Sequence, residues 1–299
     1  MFDIFFVLAG FFVGTVVGLT GVGGGSLMTP LLIFLMGVKP HMAVGTDLLF
    51  AAITKSGGTF SLWRQKLIPW RVVVHLSLGS IPGCLATIYI LSQFDLTSSQ
   101  AEILIKRTLG VALLLTAASL LYKVLRTSKT KLLSESNDSA NSKFTESESF
   151  PHPNAQNTIS ISATVALQSN QSIEDVDSLQ TKHPVLTILL GFFIGSMVTL
   201  TSVGAGAIGV SVLMLLYPRL PLPRIVAADI AYAVPLTLLA GLGHAGLGTV
   251  DWGLLFKLAL GSLPGIWVGA HLLTRTSERF IRLSLSILLA WAAGKLLFV

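Results

Sequence analysis

A short motif of this chain occurs twice. Residues 20–25, Thr-Gly-Val-Gly-Gly-Gly, recur at 201–206 as Thr-Ser-Val-Gly-Ala-Gly. The Gly-Ser-Ile-Pro-Gly run at 79–83 recurs at 261–265 with leucine in place of isoleucine. The offset is 181 residues at the glycine run and 182 residues at the later run. Two matched halves with glycine-interrupted apolar segments at equivalent places are typical of membrane transporters whose binding site lies between the repeats.

The composition points to a chain that lies mostly in lipid. Hydrophobic residues make up 52% of the sequence and charged residues only 11%, with a mean hydropathy of +0.77. A soluble domain has about 25% charged residues, and a membrane helix needs about 20 largely apolar ones. Several stretches meet that length. The strands of a β-barrel would show sustained alternation of apolar and polar residues, and the sequence shows none. The sequence therefore predicts an all-α polytopic membrane protein, with the bacterial plasma membrane as its expected location.

The distribution of charge disfavours a nucleic-acid partner. The net charge is +6, but the basic residues lie in short clusters between apolar segments, as the positive-inside rule requires.

The single cysteine, Cys84, has no cysteine or histidine cluster beside it, so we expect no metal site and no cofactor. The six histidines form no motif with carboxylates, which argues against an enzyme.

Each half is predicted to form five helices. The predicted ranges are 4–19, 26–37, 41–63, 70–92 and 103–126 in the first half, and 185–200, 207–217, 223–243, 250–273 and 277–298 in the second. At about 1.5 Å per residue the second helix is only about 18 Å long, too short to cross a hydrocarbon core of about 30 Å. The first two helices of each half are therefore expected to form a pair broken at the glycines.

Three regions follow from this pattern. Residues 1–126 are expected to form membrane repeat one, and residues 184–299 membrane repeat two. Residues 127–183 are polar and almost free of aromatic side chains, so we predict a mostly disordered cytoplasmic linker. If each broken pair returns to its own side, nearly all basic clusters lie in the cytoplasm. This arrangement makes the two repeats inverted relative to each other.

The glycine runs are the first candidate site. Glycine leaves backbone N–H groups accessible, and a helix that starts just after the break directs its positive dipole end at a bound anion. Hydroxyl groups beside the glycines would add donors. The alternative is close helix packing, which small residues also permit. The candidate substrate-binding residues at the breaks are Thr20, Gly21, Gly23, Gly24, Gly25, Ser26, Thr201, Ser202, Gly204 and Gly206.

Charged side chains in apolar segments are the second signal, because charge is costly in a bilayer. Asp47 and Asp229 occupy equivalent positions, and we expect a structural or coupling role, such as capping the free amides of a broken helix. Lys55, whose counterpart is Thr237, is a candidate counter-charge for an anion. Its alternative role is an ion pair, but on a straight helix it lies about 12 Å from Asp47, so a direct pair needs a bend or another partner.

Three further basic residues receive simpler interpretations. His75 and Lys257 are equivalent and each follows an interfacial tryptophan by five residues, so we expect their polar ends to reach the headgroup region. His244 is expected in an external loop, where a solvated role is favoured over a role in proton coupling.

These residues resemble the TauE/SafE family of sulfite and organosulfonate exporters. The matching pieces are Gly18-Leu19-Thr20-Gly21-Val22-Gly23-Gly24-Gly25, Pro30-Leu31-Leu32, Ala43-Val44-Gly45-Thr46-Asp47-Leu48 and both Gly-Ser-(Ile/Leu)-Pro-Gly runs. The resemblance covers about 20–126 and 185–298. It implies secondary transport of a small sulfur-containing or carboxylate anion, driven by the proton gradient. Among relatives, Ala-Thr-Ser is frequent where this chain has Gly45-Thr46-Asp47.

The sequence therefore predicts a secondary-active transporter of small anions such as sulfite, sulfonates or small carboxylates. The anion is expected at the glycine breaks near the bilayer midplane, with proton coupling and alternating access. Two alternatives stay open: a passive anion channel, and a membrane accessory protein without transport activity. The expected partners are the anion and the lipid bilayer.

Overall fold

The computed structural model describes residues 2–20, 25–94, 98–141, 184–204, 206–218, 220–272 and 278–298. These ranges contain ten helices and no strand. In chain order the helices are α1 (Phe2–Thr20), α2 (Gly25–Met36), α3 (Pro40–Arg64), α4 (Trp70–Ser92), α5 (Ser99–Asn141), α6 (Pro184–Thr201), α7 (Ala207–Leu216), α8 (Leu222–Gly246), α9 (Trp252–Leu272) and α10 (Glu278–Phe298).

The prediction of a polytopic α-helical protein is confirmed at this level. Five segments of the described chain are long and apolar enough to cross a membrane: Trp70–Ser92, Gln100–Leu121, Pro184–Thr201, Leu222–Gly246 and Trp252–Gly269. Many large apolar side chains on their outer faces are exposed, for example Tyr89, Phe193 and Trp267. Such a surface is stable only when an apolar solvent covers it.

Several helix boundaries differ from the sequence predictions. The first helix of each broken pair is longer than expected, because α1 has 19 residues and α6 has 18. At about 1.5 Å per residue such a helix is about 27 Å long, so only α2 and α7 are truly short. The fifth helix continues to Asn141 rather than ending at 126.

The chain separates into two compact units. One contains residues 1–121 and 183–299, and the other contains residues 122–182. Of the second unit the structure describes residues 122–141, which are helical. Residues 142–183 lie outside the described part, so the disordered linker over 127–183 stays a prediction.

Glycines bring the first helix of each repeat against the fourth helix of the other repeat. A Cβ on Gly10 would lie 2.4 Å from the carbonyl oxygen of Leu258, and a Cβ on Gly14 equally close to that of Ser262. From the other side, a Cβ on Gly261 would lie 1.9 Å from the carbonyl oxygen of Val7. From the Gly10–Leu258 pair to the Gly14–Ser262 pair, the residue numbers of both helices rise, so α1 and α9 run parallel with their backbones in contact.

The same contact recurs between α4 and α6. Cβ atoms on Gly191 and Gly195 would meet the carbonyl oxygens of Leu76 and Ser80 at 2.5 and 2.4 Å. In return, a Cβ on Gly79 would lie 1.9 Å from the carbonyl oxygen of Ile188. The glycines of both Gly-Ser-x-Pro-Gly runs thus permit close parallel packing, because any side chain there would collide with a backbone.

The two third helices, α3 and α8, pack against each other in opposite directions. Gly45 lies against Thr249 just beyond the end of α8, Gly241 lies against Leu49, and Gly58 lies near Ile230. One residue number falls as the other rises, so α3 and α8 are antiparallel. Among the candidate spans α8 is the most buried, with 61% of its apolar window inside the protein.

Candidate functional site

The second glycine break is a short irregular segment between α6 and α7. Ser202 has a φ of 58°, Gly204 a φ of 126° and Gly206 a φ of 137°. The two glycine values lie in a region that residues with a Cβ rarely adopt, so glycine is required there. Gly206 occupies the N-cap position of α7, and no side chain caps this helix start.

The hydroxyl of Thr201 stabilises this break from within. It is within donating distance of the Met197 and Val203 carbonyl oxygens, at 2.7 and 3.0 Å, and it accepts a hydrogen bond from the Val203 N–H. Thr201 is therefore a structural element of the turn. Ser202 is different, because its buried Oγ has no regular hydrogen-bond partner in the described residues.

Much of the first break lies outside the described residues. The candidates Gly21, Gly23 and Gly24 fall in the gap between the last residue of α1 and the first of α2. Thr20 ends α1 and Gly25 begins α2, with Ser26 as its second residue. The described ends of α1 and α2 flank the predicted break, and these residues stay candidates.

Asp47 links α2 to the second break. It is fully buried, and Thr29 of α2 donates a short hydrogen bond to its Oδ2. The Ser202 hydroxyl of the second break interacts with the same carboxyl group, although the geometry is not that of a regular hydrogen bond. Since Asp47 Oδ1 has no hydrogen-bond partner in the described residues, the carboxyl group lies in a polar but incompletely bonded environment.

Asp229 lies against the other short helix. Gly209, in the first turn of α7, packs so closely on it that a Cβ there would be 2.0 Å from Asp229 Oδ1. The phenolic oxygen of Tyr232 would lie 3.1 Å from the same Cβ, so it is close to the carboxyl group. Asp47 and Asp229 thus contact α2 and α7, respectively, at equivalent places in the two halves.

Lys55 is a buried cation whose charge acts on both carboxylates. Its side chain is only 5% exposed, and its charge interacts with Asp229 most strongly and with Asp47 less strongly. On a straight α3, Lys55 is too far from Asp47 for a direct ion pair. Its stronger electrostatic partner is instead Asp229, an aspartate of the other half. Thr237, the counterpart of Lys55, instead donates a hydrogen bond to the Ala233 carbonyl oxygen of its own helix.

The prediction that His244 lies in an external loop and is solvated was wrong. His244 belongs to the last turn of α8 and is 3% exposed. Its Nε2 lies 2.9 Å from the carbonyl oxygen of Thr199, and its Nδ1 lies 2.9 Å from the hydroxyl of Thr249. The helix continues three residues beyond its predicted end, which moves His244 from the surface into the protein.

Other basic residues have peripheral environments. His75 is half-buried, with Nδ1 at 2.7 Å from the Arg71 carbonyl oxygen of its own helix. The Lys257 ammonium lies 5.9 Å from the centre of the Phe6 ring. No group of three metal-ligating side chains occurs within the described residues.

Several polar residues at the site were not predicted from the sequence. They are Thr46, Thr199, Tyr232 and Thr249. The Thr46 hydroxyl, for instance, accepts a hydrogen bond at 3.0 Å from the N–H of Asp251, which is 205 residues away in the chain. Hydroxyl residues in apolar helices most often bond to their own backbone, so sequence alone gives no signal for such long-range contacts.

The chain is similar to known membrane proteins over nearly its full length. Residues 6–296 match the model of the family described as sulfite exporter TauE/SafE. One relative, the probable membrane transporter protein YjnA of Bacillus subtilis, is 35% identical over 97% of this chain and 98% of its own length. Two others from the same organism, the probable membrane transporter proteins YunE and YdhB, are 26% and 25% identical, covering 89% and 88% of this chain and 85% and 87% of their own lengths. No solved structure gives a significant match.

Proposed function

Because the chain belongs to the sulfite exporter TauE/SafE family, we propose that it carries a small anion across the membrane by secondary-active transport. The proposed cargo is sulfite, a sulfonate or a small carboxylate, and a proton is the coupling ion. The family and the five candidate spans make the chain a multi-pass membrane transporter of the bacterial plasma membrane. The proposal adds the cargo, the binding site and the source of energy.

Inverted repeats are the architectural part of this proposal. The antiparallel course of α3 and α8, which are equivalent helices, supports an inverted relation between the halves. The first helix of each half packs against the fourth helix of the other half, α1 on α9 and α6 on α4. These matching contacts support a pseudo-two-fold relation between the halves. In transporters with this architecture, movement of one part against the other exposes a central site to each side in turn.

The anion is proposed to bind between the two breaks, close to Lys55. The uncapped start of α7 at Gly206 supports this position, because the first N–H groups of a helix have no intrahelical partner and carry partial positive charge. Ser202 adds a buried hydroxyl donor, and Lys55 adds a full positive charge in an apolar interior. The equivalent groups at Thr20, Gly21, Gly23, Gly24, Gly25 and Ser26 would serve the first break.

The two aspartates supply a physical reason for proton coupling. Asp47 and Asp229 already bring negative charge close to α2 and α7, so a second anion entering the centre is repelled. A proton bound near the centre offsets this repulsion, so that Lys55 can neutralise the cargo. Anion and proton then favour each other's binding, and this linkage is reciprocal. The single observation that carries the proposal is the buried Lys55, whose charge interacts with the two buried carboxylates that contact α2 and α7.

Uptake into proteoliposomes tests the function. The purified full chain is reconstituted, and the uptake of labelled sulfite, methanesulfonate and acetate is followed with and without an inward proton gradient. We expect saturable uptake of at least one anion, accelerated by the gradient. Current that neither saturates nor responds to the gradient would identify a passive channel, and no flux of any of these anions through folded protein would favour an accessory role. Either result would overturn the proposal.

The substitution Gly206→Ala tests the position of the site. A side chain at a φ of 137° is strained, so the start of α7 should move and transport should fall at least about tenfold, the rate equivalent of about 1.4 kcal/mol. Gly248→Ala is the matched control, because Gly248 also has a positive φ, of 72°, but lies in the α8–α9 loop with open space around it. Equal activity of the two variants would place the binding site elsewhere.

A further inference from the structure

His244 is a buried histidine that takes no part in the anion site described above. It connects three elements: its own helix α8, the last turn of α6 through the Thr199 carbonyl, and the α8–α9 loop through the Thr249 hydroxyl. A carbonyl oxygen only accepts hydrogen bonds, so Nε2 carries a hydrogen and donates to Thr199. This fixes the tautomer of the neutral ring, with Nδ1 as the acceptor.

The Thr249 hydroxyl allows the ring to take up a second proton without losing a hydrogen bond. Its Oγ1 lies 2.9 Å from His244 Nδ1 and also 2.9 Å from the backbone carbonyl oxygen of His244. With a neutral ring, the hydroxyl donates to Nδ1. With a protonated ring, Nδ1–H donates to Oγ1, and the hydroxyl hydrogen turns to the carbonyl oxygen. Both protonation states are fully hydrogen-bonded, and only one hydrogen atom reorients between them.

The ring of His244 lies beside a helix end that carries partial negative charge, at the depth of a buried carboxylate. Thr199 lies in the last turn of α6, whose carbonyl end carries partial negative charge and stabilises a cation. The Gly45–Thr249 and Leu49–Gly241 contacts of the antiparallel helices put Asp47 level with residues 241–249, the segment that contains His244. The histidine is therefore at the same depth as the buried carboxylate that interacts with the second break.

Titratable and charged groups surround this position on several elements. The charge of His41, near the start of α3, acts on both His244 and Glu102 of α5. Cys84 of α4 interacts with the side chain of Thr199. Further charged and titratable groups on these elements and in the neighbouring loops include Lys39, Asp47, Lys55, Arg64, Arg71, His75, Lys106, Arg107, Arg224, Asp229 and Asp251.

We propose that His244 binds and releases the proton that is coupled to transport, with Thr249 as the positioning residue that satisfies both protonation states. This inference rests on the proposed function. Proton binding at the end of α6 changes the charge beside the second break, and thereby changes the break's affinity for an anion. Repeat one has no such group, because the counterparts of His244 and Thr249 are Leu62 and Leu67.

Proton binding is tested directly and without substrate. The full chain, labelled with ¹⁵N at histidine, is studied by NMR in lipid nanodiscs, and His244→Gln identifies the signals. Spectra are recorded between about pH 5 and pH 8, and we expect the neutral Nε2–H form to convert towards the doubly protonated form as the pH falls. Thr249→Val removes the acceptor for Nδ1–H, so His244 in this variant should become doubly protonated only at a lower pH. Thr249→Ser keeps a hydroxyl and should behave like the parent protein. A His244 signal that does not change over this range would overturn the proposal.

Transport provides the second test, through the ratio of initial uptake rates with and without the proton gradient. We expect this ratio to fall to about one in His244→Gln and to decrease in Thr249→Val, since a proton that is not bound supplies no driving force. His75→Gln is the matched control and should keep the parent ratio. An unchanged ratio in both His244→Gln and Thr249→Val would overturn this inference alone. Absence of any flux in the parent protein would instead overturn the proposed function, and the NMR titration would still decide proton binding at His244.

Discussion

The two repeats are alike in one region of this protein and differ in another. The first region is the scaffold of glycine contacts between helices, and the second is the polar centre around Asp47, Lys55, Asp229 and His244. In the scaffold, the glycine contacts recur in both repeats: a Cβ on Gly79 would lie 1.9 Å from the carbonyl oxygen of Ile188, and a Cβ on Gly261 equally close to that of Val7. In the centre, Asp47 and Asp229 match, but other equivalent residues differ. Lys55 corresponds to a threonine, and His244 corresponds to a leucine. The packing surfaces are symmetrical, while the charges that would handle substrate and proton are not.

This difference has a physical reason. Backbone contact between helices depends on the absence of side chains, so both copies of the motif keep their glycines. A buried charge is costly, and one lysine already interacts with both carboxylates. A second lysine at the equivalent position would add a buried charge that needs its own partner. We therefore expect substitutions in the centre to have unequal effects in the two repeats, and substitutions in the scaffold to have equal ones.

The substitution Lys55→Thr should have the largest effect. It gives repeat one the residue of repeat two and leaves two buried carboxylates without their shared cation. Breaking a buried ion pair costs about 3–5 kcal/mol, so we expect a lower thermal unfolding temperature in detergent and the loss of most transport. Adding Asp229→Asn should restore part of the stability, because it removes one uncompensated charge.

Lys39→Thr is the matched control for Lys55→Thr. Lys39 is an exposed lysine directly before α3, so its removal should leave the unfolding temperature unchanged. Equal unfolding temperatures for the two threonine variants would contradict an electrostatic centre around Lys55.

The pair Gly79→Ala and Gly261→Ala tests the symmetrical part of the comparison. Each new Cβ would lie 1.9 Å from a carbonyl oxygen, so the helices must separate. Overpacking of this kind costs about 1–3 kcal/mol, and we expect the two variants to lose similar amounts. Gly294→Ala, with open space around the new Cβ, should not destabilise the protein. Clearly unequal losses at the two glycines would show that the scaffold is not symmetrical in energy.

Substitution of Lys106 should have the smallest effect. Its ammonium lies 2.9 Å from Glu102 Oε1 one helical turn away, but both side chains are about 40% exposed. Water and salt screen such a pair, so Lys106→Gln should change the free energy of unfolding by about 0.5 kcal/mol or less. A change as large as that of Lys55→Thr would mean that exposed charges on one helix contribute as much as the buried centre.

Much of the fold follows from the sequence because its signals are local. Apolar length predicts α4, α8 and α9 to within three residues at each end. The glycine runs predict where the broken pairs turn, since only glycine readily adopts the φ values found at Gly204 and Gly206. The end of α5 was not predicted, because the polar residues after 126 are weak helix breakers and no proline or glycine ends the helix there.

The candidate site was only partly predictable. Asp47, Asp229 and Lys55 stand out because charge is rare in apolar segments, and that signal needs no tertiary information. His244 gave the opposite signal, since its position close to glycines suggested a loop. The contacts of Thr29, Thr199 and Thr249 join residues that are distant in the chain, and no periodicity encodes such pairs.

The sequence by itself determined the all-helical class, the doubled plan and the buried charges, because apolar length, repetition and the cost of charge in lipid are properties of short segments. Only the tertiary structure decided which half supplies the partner of Lys55, which helices pack with their backbones in contact, and that His244 is buried. Those features depend on the distance between segments that lie far apart in the chain. The antiparallel packing of α3 and α8 set these distances by bringing Asp47 to the depth of His244.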